Sequence, residues 1–468
     1  MHIRLPAGAA SVVLAMAVVS AQTGPRDVAL VVTGGTVVTM DAAGRVLENG
    51  ALAIDGTDIV AVDTADAIAR QFRGRERIDA SGHIILPGLI NTHTHAAMVL
   101  YRGLADDLPL MEWLNNYIFP AEAKTVSPEF VRAGTRLAAL EMIESGTTTF
   151  ADMYYFEEEV ANETRDAGLR GVLGQTIIQF PVADAKTPAD GLARADAFIT
   201  AFKNDSLITP AVAPHAIFTL DGPTLRAARE LSKRHNVPTL IHLAETNDET
   251  KVAQERLAPS PVAYLDGLGF LGPGVLAAHG VWVSDADITV LKARGVGIAH
   301  NPESNMKLAS GSAPVPAYLR AGVPVGLGTD GAASNNDLDM FEAMRVAALL
   351  HKHETVDPAA LTARTVLEMA TIRGARALGM DARTGSLEAR KRADVITVST
   401  AAARMTPMYD PVSHLVYVAH GDDVQNSVVN GRVLMKSRKV LTLKEATVIA
   451  DARAWAEKVR AAVKPERR

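Results

Sequence analysis

Eight short apolar runs, each followed by a longer helix-like stretch, constrain the fold of this chain more than any other feature. Near-continuous apolar strands that alternate with helices indicate a parallel sheet covered on both faces. Eight such units in about 290 residues suit an α/β fold of the (β/α)₈ TIM barrel type. The runs are 88–93, 147–152, 170–174, 208–213, 238–242, 274–279, 295–300 and 323–330.

Shorter strand-like segments lie on both sides of this barrel. They are separated by turn signals such as Gly34-Gly35 and Asp55-Gly56. We predict that the two groups pair into one small discontinuous β-sandwich domain, and that an amphipathic helix ends the chain at about 444–463. The strand-like segments are 29–33, 35–39, 50–54, 393–398, 424–429 and 432–435. The predicted domains are 27–86 and 385–468 for the two parts of the β-sandwich and 87–380 for the barrel.

The first 21 residues have the pattern of a signal peptide. Arg4 precedes an apolar run at 9–19, and small residues at 19–21 resemble a cleavage site. The run is short for a permanent membrane helix, and a buried helix is the alternative interpretation. We expect an exported protein, periplasmic or secreted, that has no stable membrane anchor once the signal peptide is cleaved.

Composition excludes several kinds of site and partner. The chain has no cysteine, which excludes disulfides, iron–sulfur clusters, thiolate zinc sites and cysteine nucleophiles. Any metal must therefore be held by His, Asp and Glu. The net charge of −6 contains no block of like charge, so nucleic acid is not predicted as a partner. Whether the chain forms a homo-oligomer is left open.

Histidine or aspartate stands at the carboxyl end of most of the eight runs, where α/β barrels build their active sites. His93 and His95 are two residues apart on a strand, so their side chains point the same way. With His242 on the fifth run and Asp330 on the eighth, they form an N₃O donor set that suits zinc. A position left open for water would make the site catalytic. A hydrogen-bonded histidine at a strand end is the structural alternative for any one of them.

The stretches around these residues resemble the amidohydrolase superfamily. The similarity is strongest to its mononuclear aminoheterocycle deaminases, in the 5′-methylthioadenosine/S-adenosylhomocysteine deaminase and chlorohydrolase-like group. It extends over essentially the whole chain after the predicted signal peptide. The matching stretches are 87–95, 101–108, 242–245, residue 279, 300–310, 326–336 and 335–339.

This resemblance implies one Zn²⁺ per chain, with Fe²⁺ as the alternative ion. His279 would lie beside the bound water, either as a distant ligand or as a hydrogen-bond partner. Dinuclear relatives use a carboxylated lysine at the end of strand 4, and the corresponding run 208–213 leads to His215 without a lysine. The implied ligands are His93, His95, His242 and Asp330.

The resemblance also implies catalytic and substrate-binding roles. Glu245 would be the general acid/base for the ring nitrogen beside the attacked carbon, as a non-ligand Glu is in other zinc deaminases; an N-cap or surface carboxylate is its alternative. Asp330 would carry a proton to the leaving amine, and His279 would stabilise the developing alkoxide. Glu122 occupies the place of a ribose-binding Glu, and His215 would hydrogen-bond a purine ring nitrogen. Three aromatic residues are either pocket walls or core: Trp113, Phe119 and Tyr155.

The expected function is a metal-dependent hydrolytic deaminase of an adenine nucleoside or a related aminoheterocycle that releases ammonia. The alternative within the enzyme class is a deaminase or dehalogenase of a pterin, a guanine derivative or a triazine. An exported barrel that binds metal or nucleosides without turnover is the alternative of a different class. Such a binder would not need Glu245 and Asp330 together with all three histidine ligands.

One departure from the group bears on specificity. Members that act on S-adenosylhomocysteine are expected to grip its amino-acid tail with arginines after strand 3. Here the segment 175–190 contains no arginine, and Lys186 is its one cation before Arg194. A single ammonium lacks the bidentate fork that holds a carboxylate, and Asp184 and Asp190 would repel that carboxylate. We therefore expect substrates with an uncharged tail, or none, to be preferred.

Overall fold

The strands of the chain form three groups. The structure is a computed structural model that describes residue 2 and residues 24–463, so the predicted signal peptide at 1–21 lies outside the described residues except for His2. Five strands come first: β1 (Arg26–Val38), β2 (Val46–Asp55), β3 (Asp58–Thr64), β4 (Phe72–Asp79) and β5 (His83–Pro87). Eight follow: β6 (Leu89–Thr94), β7 (Thr147–Tyr154), β8 (Arg170–Ile177), β9 (Ile208–Pro214), β10 (Thr239–Leu243), β11 (Val275–His279), β12 (Gly297–His300) and β13 (Val325–Leu327). The last are β14 (Val395–Ser399), β15 (Val424–Val429), β16 (Arg432–Lys436) and β17 (Lys439–Val440).

Helices connect these strands, and many begin at an N-cap side chain that satisfies a free backbone N–H, as Ser127 does for Phe130. The α-helices of the described residues are α1 (Ala65–Gln71), α2 (Leu110–Trp113), α3 (Phe119–Thr125), α4 (Pro128–Glu144), α5 (Glu157–Ala167), α6 (Pro188–Phe202), α7 (Gly222–His235), α8 (Asp248–Glu255), α9 (Pro261–Gly267), α10 (Asp285–Arg294), α11 (Pro302–Lys307), α12 (Val315–Ala321), α13 (Met340–Thr355), α14 (Ala363–Met369), α15 (Ile372–Ala377), α16 (Pro411–Tyr417) and α17 (Glu445–Ala462). Shorter 3₁₀ or π segments are Ala96–Tyr101, Leu114–Ile118, Ala403–Met405 and Gly421–Asp423. No helix in the described ranges is long and apolar enough to cross a membrane.

Strands β6 to β13 form the predicted barrel. Each pairs in parallel with the next in chain order, and all eight coincide with the eight apolar runs of the sequence. The barrel closes between its first and last strands, where the hydroxyl of Thr92 donates to the carbonyl of Leu327 at 2.8 Å. Just beyond, the backbone N–H of Asp330 donates to the carbonyl of His93 at 3.0 Å. Closure therefore brings the two ends of the predicted ligand set together.

The predicted pairing of the two chain ends is confirmed. Strands β1–β5 and β14–β17 form one nine-stranded mixed sheet, in which β14 pairs with β5. The predicted turn at Gly34-Gly35 is wrong, because β1 continues through it as a bulge with Gly34 at φ +92°. The bulge lets one edge of β1 pair first with β4 and then with β5. The domain limits at 86 and 385 stay a prediction, whereas the final helix begins and ends within one residue of its predicted bounds.

A buried ion pair joins the barrel to the mixed sheet. Arg170 begins β8, and its Nε lies 3.0 Å from Oδ2 of Asp394, which precedes β14; both side chains are buried. The other carboxylate oxygen of Asp394 accepts the backbone N–H of Asn430 at 2.7 Å. The carbonyl of the same aspartate accepts the N–H of Gly88, just before β6. These contacts attach the sheet to the first and third barrel strands.

Candidate metal centre and active-site cleft

Four side chains converge where β6, β10 and β13 end. Nε2 of His93 and Nε2 of His95 each lie 3.4 Å from Oδ1 of Asp330. Nε2 of His242 lies 3.3 Å from Nε2 of His95. One candidate donor group combines His93, His95 and Asp330, and a second combines His93 with His242 and His279; within each, the ligand atoms lie within 4.8 Å of one another. The four predicted ligands therefore form one centre.

The protonation of two ligand histidines is fixed by backbone carbonyls. Nδ1–H of His95 donates to the carbonyl of Met153 at 2.7 Å, and Nδ1–H of His242 donates to the carbonyl of His215 at 2.8 Å. Because a carbonyl only accepts, Nδ1 carries the proton and the lone pair of Nε2 faces the centre. Nε2 of His93 is buried and has no hydrogen-bond partner among the described residues. Three imidazole nitrogens and one carboxylate oxygen fit Zn²⁺.

The Asp330 carboxylate is held rigidly in this centre. Its Oδ2 accepts the hydroxyl of Ser304 at 2.7 Å, and its Oδ1 accepts the N–H of Gly331 at 2.8 Å. The residue has φ +63°, and His279 and Ala244 at two other strand ends also have positive φ, at +72° and +51°. Non-glycine residues in this region are strained, and such strain clusters at functional sites. Burial alone would raise the pKa of Asp330, but contact with the histidines outweighs it and holds that pKa well below its usual value.

Glu245 lies beside the centre, where β10 gives way to a turn. Its Oε2 is 3.6 Å from Nε2 of His279, and both side chains are buried. Burial, with repulsion from Asp330 and Glu249, raises the pKa of Glu245 well above its usual value. Burial therefore favours the protonated form of Glu245, which can donate a proton. The buried position excludes the alternative of a surface carboxylate.

Glu249 supports this turn and was missed by the sequence reasoning. Its two carboxylate oxygens accept the backbone N–H of Glu245 at 2.8 Å and of Ala244 at 3.0 Å. The side chain is 2% exposed, and burial raises its pKa to about 7. A Glu four residues after another Glu on a helix-like segment gives no sequence signal for such a role.

Two asparagines orient His279. The side-chain amides of Asn305 and Asn301 donate to its Nδ1, at 2.9 and 3.3 Å. With Nδ1 as acceptor, the neutral imidazole carries its proton on Nε2, the nitrogen that faces Glu245. His279 is thus set up as a hydrogen-bond donor, which favours the second of its two predicted roles.

Asp152, two residues before the end of β7, fixes the chain on both sides of His95. Its Oδ1 accepts the hydroxyl of Thr94 at 2.7 Å and the N–H of Ala96 at 2.6 Å. Burial raises the pKa of Asp152 to about 6. The sequence placed an aspartate at this strand end, but only the fold reveals that it holds the ligand next to it.

The centre forms the floor of a cleft whose walls include Glu122 and His215. Glu122 is buried and accepts the hydroxyl of Tyr154 at 2.7 Å. Burial raises the pKa of Glu122 to about 7. Burial and the nearby His95 lower the pKa of His215 to about 3, so that His215 is neutral. All three aromatic residues considered in the sequence lie on the wall: Trp113, Phe119 and Tyr155.

The two aspartates of the segment after β8 make contacts within the protein. Oδ2 of Asp184 accepts the N–H of Phe156 at 2.8 Å and lies 3.2 Å from Nε of Arg194. Asp190 closes a capping box with Thr187 at the start of α6. The repulsion of a substrate carboxylate by Asp184 and Asp190 stays a prediction, because these contacts hold the two carboxylates in place without testing their effect on a substrate.

The chain is similar over nearly its whole length to proteins of known activity. It is 47% identical over 439 residues to a 5-methylthioadenosine/S-adenosylhomocysteine deaminase of Syntrophus aciditrophicus, covering 94% of this chain and 99% of the relative. It is 46% identical over 437 residues to a 5′-deoxyadenosine deaminase of Methanosarcina barkeri, covering 92% of this chain and 98% of the relative.

The fold has a counterpart in a solved structure. An adenosine deaminase from Xanthomonas campestris with bound zinc superposes with a TM-score of 0.92 at 38% identity, covering 93% of this chain and 100% of that chain. Residues 84–434 match the amidohydrolase family. With the barrel, the converging histidines and these similarities, the chain belongs to the amidohydrolase family.

Proposed function

We propose that this protein is a metal-dependent deaminase that converts an adenine nucleoside to its inosine analogue and releases ammonia. One observation carries the proposal: a single cleft is lined by the donors His95, His242 and Asp330 together with Glu245 and Glu122. The fourth donor, His93, belongs to the same cluster of ligand atoms. The similarity to deaminases of adenine nucleosides over more than 90% of the chain supports this substrate class.

The four donors on the cleft floor would hold one Zn²⁺. Bound there, zinc supplies a Lewis acid that lowers the pKa of a water molecule to about 7. The chain's own contribution is to keep the donor atoms deprotonated and aimed at one point. The carbonyls of Met153 and His215 do this for His95 and His242.

Glu245 is the proton donor to the substrate ring in this proposal. Protonation of the ring nitrogen beside the carbon that bears the amine localises the ring electrons and makes that carbon electrophilic. Burial raises the pKa of the Glu245 carboxyl group and so favours the protonated form that this transfer needs. The clamp by Glu249 keeps the turn, and hence this carboxyl group, in one position.

Asp330 and His279 complete the reaction. The ionised Asp330 carboxylate accepts one proton from the attacking water and later delivers it to the departing amine. The proton that remains on the attacking oxygen passes to Glu245 as the carbonyl forms, which restores that carboxyl group. His279 donates from Nε2 to the oxygen that develops negative charge, because its Nδ1 is occupied by the asparagine amides. Donors fixed before the reaction contribute without a reorganisation cost.

Glu122 and His215 select the substrate. A buried carboxyl group in the cleft wall offers paired oxygens to the two hydroxyls of a ribose. Neutral His215 exchanges one hydrogen bond with a purine ring nitrogen. This division predicts that nucleosides are favoured over the free base, since the free base offers no hydroxyl group to the Glu122 carboxyl group.

We further propose that the protein is exported and acts on nucleosides outside the cytoplasm. Arg4 and the apolar run at 9–19 support this localisation. Nucleic acid is not proposed as a partner, because the chain has no basic stripe. Comparison of full-length chain in cell fractions with a variant that lacks residues 2–21 tests export; equal distribution of the two would contradict it.

An ammonia-release assay tests the activity directly. Purified protein with Zn²⁺ is incubated with adenosine, 5′-methylthioadenosine and 5′-deoxyadenosine, and in parallel with guanine, a pterin and an aminotriazine. We expect turnover of the adenine nucleosides with loss of the adenine absorbance band. Turnover confined to guanine, pterin or triazine would assign the protein to the alternative aminoheterocycle enzymes. Binding without turnover of any compound would assign it to the non-catalytic class.

A further inference from the structure

The seam between the first and last barrel strands runs through the metal centre. Each neighbouring pair from β6 to β13 is joined by a backbone ladder, but β13 and β6 share no ladder within the described residues. His93 lies on β6 at one side of this seam, and Asp330 follows β13 at the other. The distance between these two ligands therefore depends on the side chains that close the seam.

We propose that Asn91 is a positioning residue that holds the two sides of this seam at the spacing the metal requires. Asn91 lies on β6 two residues before His93, so both side chains point to the same face of the strand. The proposal concerns the metal centre and does not depend on which substrate is deaminated.

The Asn91 side chain is fully buried and bridges the seam with three hydrogen bonds. Its Oδ1 accepts the backbone N–H of Thr329 at 3.1 Å and that of His93 at 3.3 Å. Its Nδ2 donates to the hydroxyl of Thr329 at 2.7 Å. Because a backbone N–H only donates, these two N–H groups fix which end of the amide faces each partner. One side chain therefore holds both the ligand His93 and the residue before the ligand Asp330.

Thr329 extends this constraint to Asp330. Its oxygen accepts from Asn91, and its hydroxyl donates to the carbonyl of Asp330 at 3.0 Å. Asp330 has φ +63°, a strained conformation that persists only where the surrounding structure holds it. The amide of Asn91 and the hydroxyl of Thr329 thus hold the backbone of this ligand, in addition to the bonds that hold its carboxylate.

The two strand ends approach each other closely at this point. A Cβ atom on Gly328 would lie 2.9 Å from the backbone nitrogen of His93 and 3.0 Å from its Cβ. Only glycine therefore allows β13 to end this near to β6. The spacing of the ligands is set by direct contact across the seam, and Asn91 pairs the polar groups within that contact.

The mixed sheet contains a matched pair of residues outside the metal centre. Nδ2 of Asn426 donates to the hydroxyl of Thr397, also at 2.7 Å, and Oδ1 of Asn426 accepts the backbone N–H of Ser437 at 3.0 Å. Asn426 and Thr397 are both buried. Asn91→Ala and Asn426→Ala therefore remove similar hydrogen bonds from two different sheets. If Asn91 only stabilised the fold, both variants would keep the zinc affinity of the parent.

The zinc affinity of these two variants tests the proposal. Each protein is stripped of metal and titrated with Zn²⁺ in competition with a chelator of known affinity, and the visible spectrum of its Co²⁺ form reports the ligand geometry. Residues that orient metal ligands typically contribute about 10–100-fold in metal affinity. We expect Asn91→Ala to bind Zn²⁺ at least tenfold more weakly and to have a changed Co²⁺ spectrum, and Asn426→Ala to keep both properties of the parent. Parent-like affinity in Asn91→Ala, or an equal loss in Asn426→Ala, would overturn the proposal.

Thr329 provides a milder test that remains decisive if Asn91→Ala does not fold. One hydrogen bond is worth about two- to tenfold, so Thr329→Val should weaken zinc binding by about that factor. Thr329→Ser keeps the hydroxyl and should restore the affinity of the parent, and Thr397→Val is the matched control that should leave it unchanged. Parent-like affinity in Thr329→Val would overturn the proposal.

These titrations use no substrate, so their outcome is separate from that of the proposed function. If zinc affinity is unchanged in Asn91→Ala and Thr329→Val while adenine nucleosides are deaminated, the role of Asn91 is wrong and the function stands. If Asn91→Ala weakens zinc binding but no adenine nucleoside is deaminated, the proposed function fails and the role of Asn91 stands.

Discussion

Two buried clusters of charged and polar groups sit at different places on the same barrel and are built in opposite ways. Where the barrel meets the mixed sheet, Arg170 and Asp394 satisfy each other, and their remaining atoms bond to backbone groups such as the carbonyl of Ser206. At the metal centre, acceptor atoms are aimed at one another, and Nε2 of His93 has no hydrogen-bond partner among the described residues. Native proteins rarely bury unsatisfied polar atoms without a reason. The polar atoms of the first cluster are therefore satisfied within the fold, whereas the second cluster has the donor geometry of a metal site.

Removal of the metal should have the largest effect on activity. It should change the metal centre and leave the cluster of Arg170 and Asp394 intact. We expect one equivalent of Zn²⁺ or Fe²⁺ per chain and complete loss of deamination after chelation. The circular dichroism of the barrel should persist, because its apolar interior does not depend on the metal. Activity should return when Zn²⁺ is added back. Elemental analysis that reproducibly finds two equivalents in active enzyme would contradict the mononuclear centre.

Glu245→Gln should separate chemistry from metal binding within that cluster. The variant keeps a hydrogen-bonding side chain of the same shape but removes the transferable proton, so kcat should fall by about 10²–10⁴-fold while the metal content stays unchanged. Glu255→Gln, on the exposed side of α8, is the control and should keep full activity. Near-normal turnover in Glu245→Gln would mean that another group protonates the ring.

Arg170→Ala should produce the opposite pattern, with a loss of stability and intact chemistry. The substitution leaves Asp394 buried without its charge partner, which costs about 3–5 kcal/mol in the free energy of unfolding. Arg26→Ala is the matched control, because its pair with Asp55 is partly exposed and should be worth at most about 1 kcal/mol. Denaturation curves and kcat/KM of the folded fraction test both points. A large loss of kcat/KM in folded Arg170→Ala would break the distinction between the clusters.

The smallest expected effect is the contribution of Glu122 to the pH dependence of the free energy of unfolding. The pKa of Glu122 is raised to about 7 from its usual 4.5, so the folded state binds the proton more tightly than the unfolded chain does. The associated stability is full below pH 4.5 and is lost as pH rises through 7. Glu122→Gln removes this loss, and its stability relative to the parent should grow by about 2–3 kcal/mol between pH 5 and pH 8. Urea unfolding at both pH values measures the change, with exposed Glu112→Gln as control. A constant difference between variant and parent would show that Glu122 ionises normally.

The barrel could be predicted from the sequence because its evidence is local. Apolar runs such as 208–213 and 238–242 carry their own strand signal, and a parallel barrel places their carboxyl ends at one face. The position of His93, His242 and Asp330 at strand ends therefore implied that they meet. The same reasoning could not find Glu249, because its contact with the backbone of Glu245 depends on a turn that no side-chain pattern encodes.

By itself, the sequence determined the order of the strands, the convergence of the metal donors and the pairing of the two chain ends. The tertiary structure alone decided which atoms of those residues are occupied by hydrogen bonds and which remain available to a metal ion. The carbonyl of Met153, 58 residues away in sequence, fixes the tautomer of His95. Arg170 pairs with Asp394, which lies 224 residues further along the chain. The tertiary structure likewise decided that Asp184 pairs with Arg194. It also decided that the apolar residues 180–183 line a cavity beside Glu122. The physical reason is that strand and helix signals arise between neighbours in sequence, whereas hydrogen bonds, desolvation and pKa shifts depend on groups that only folding brings into contact.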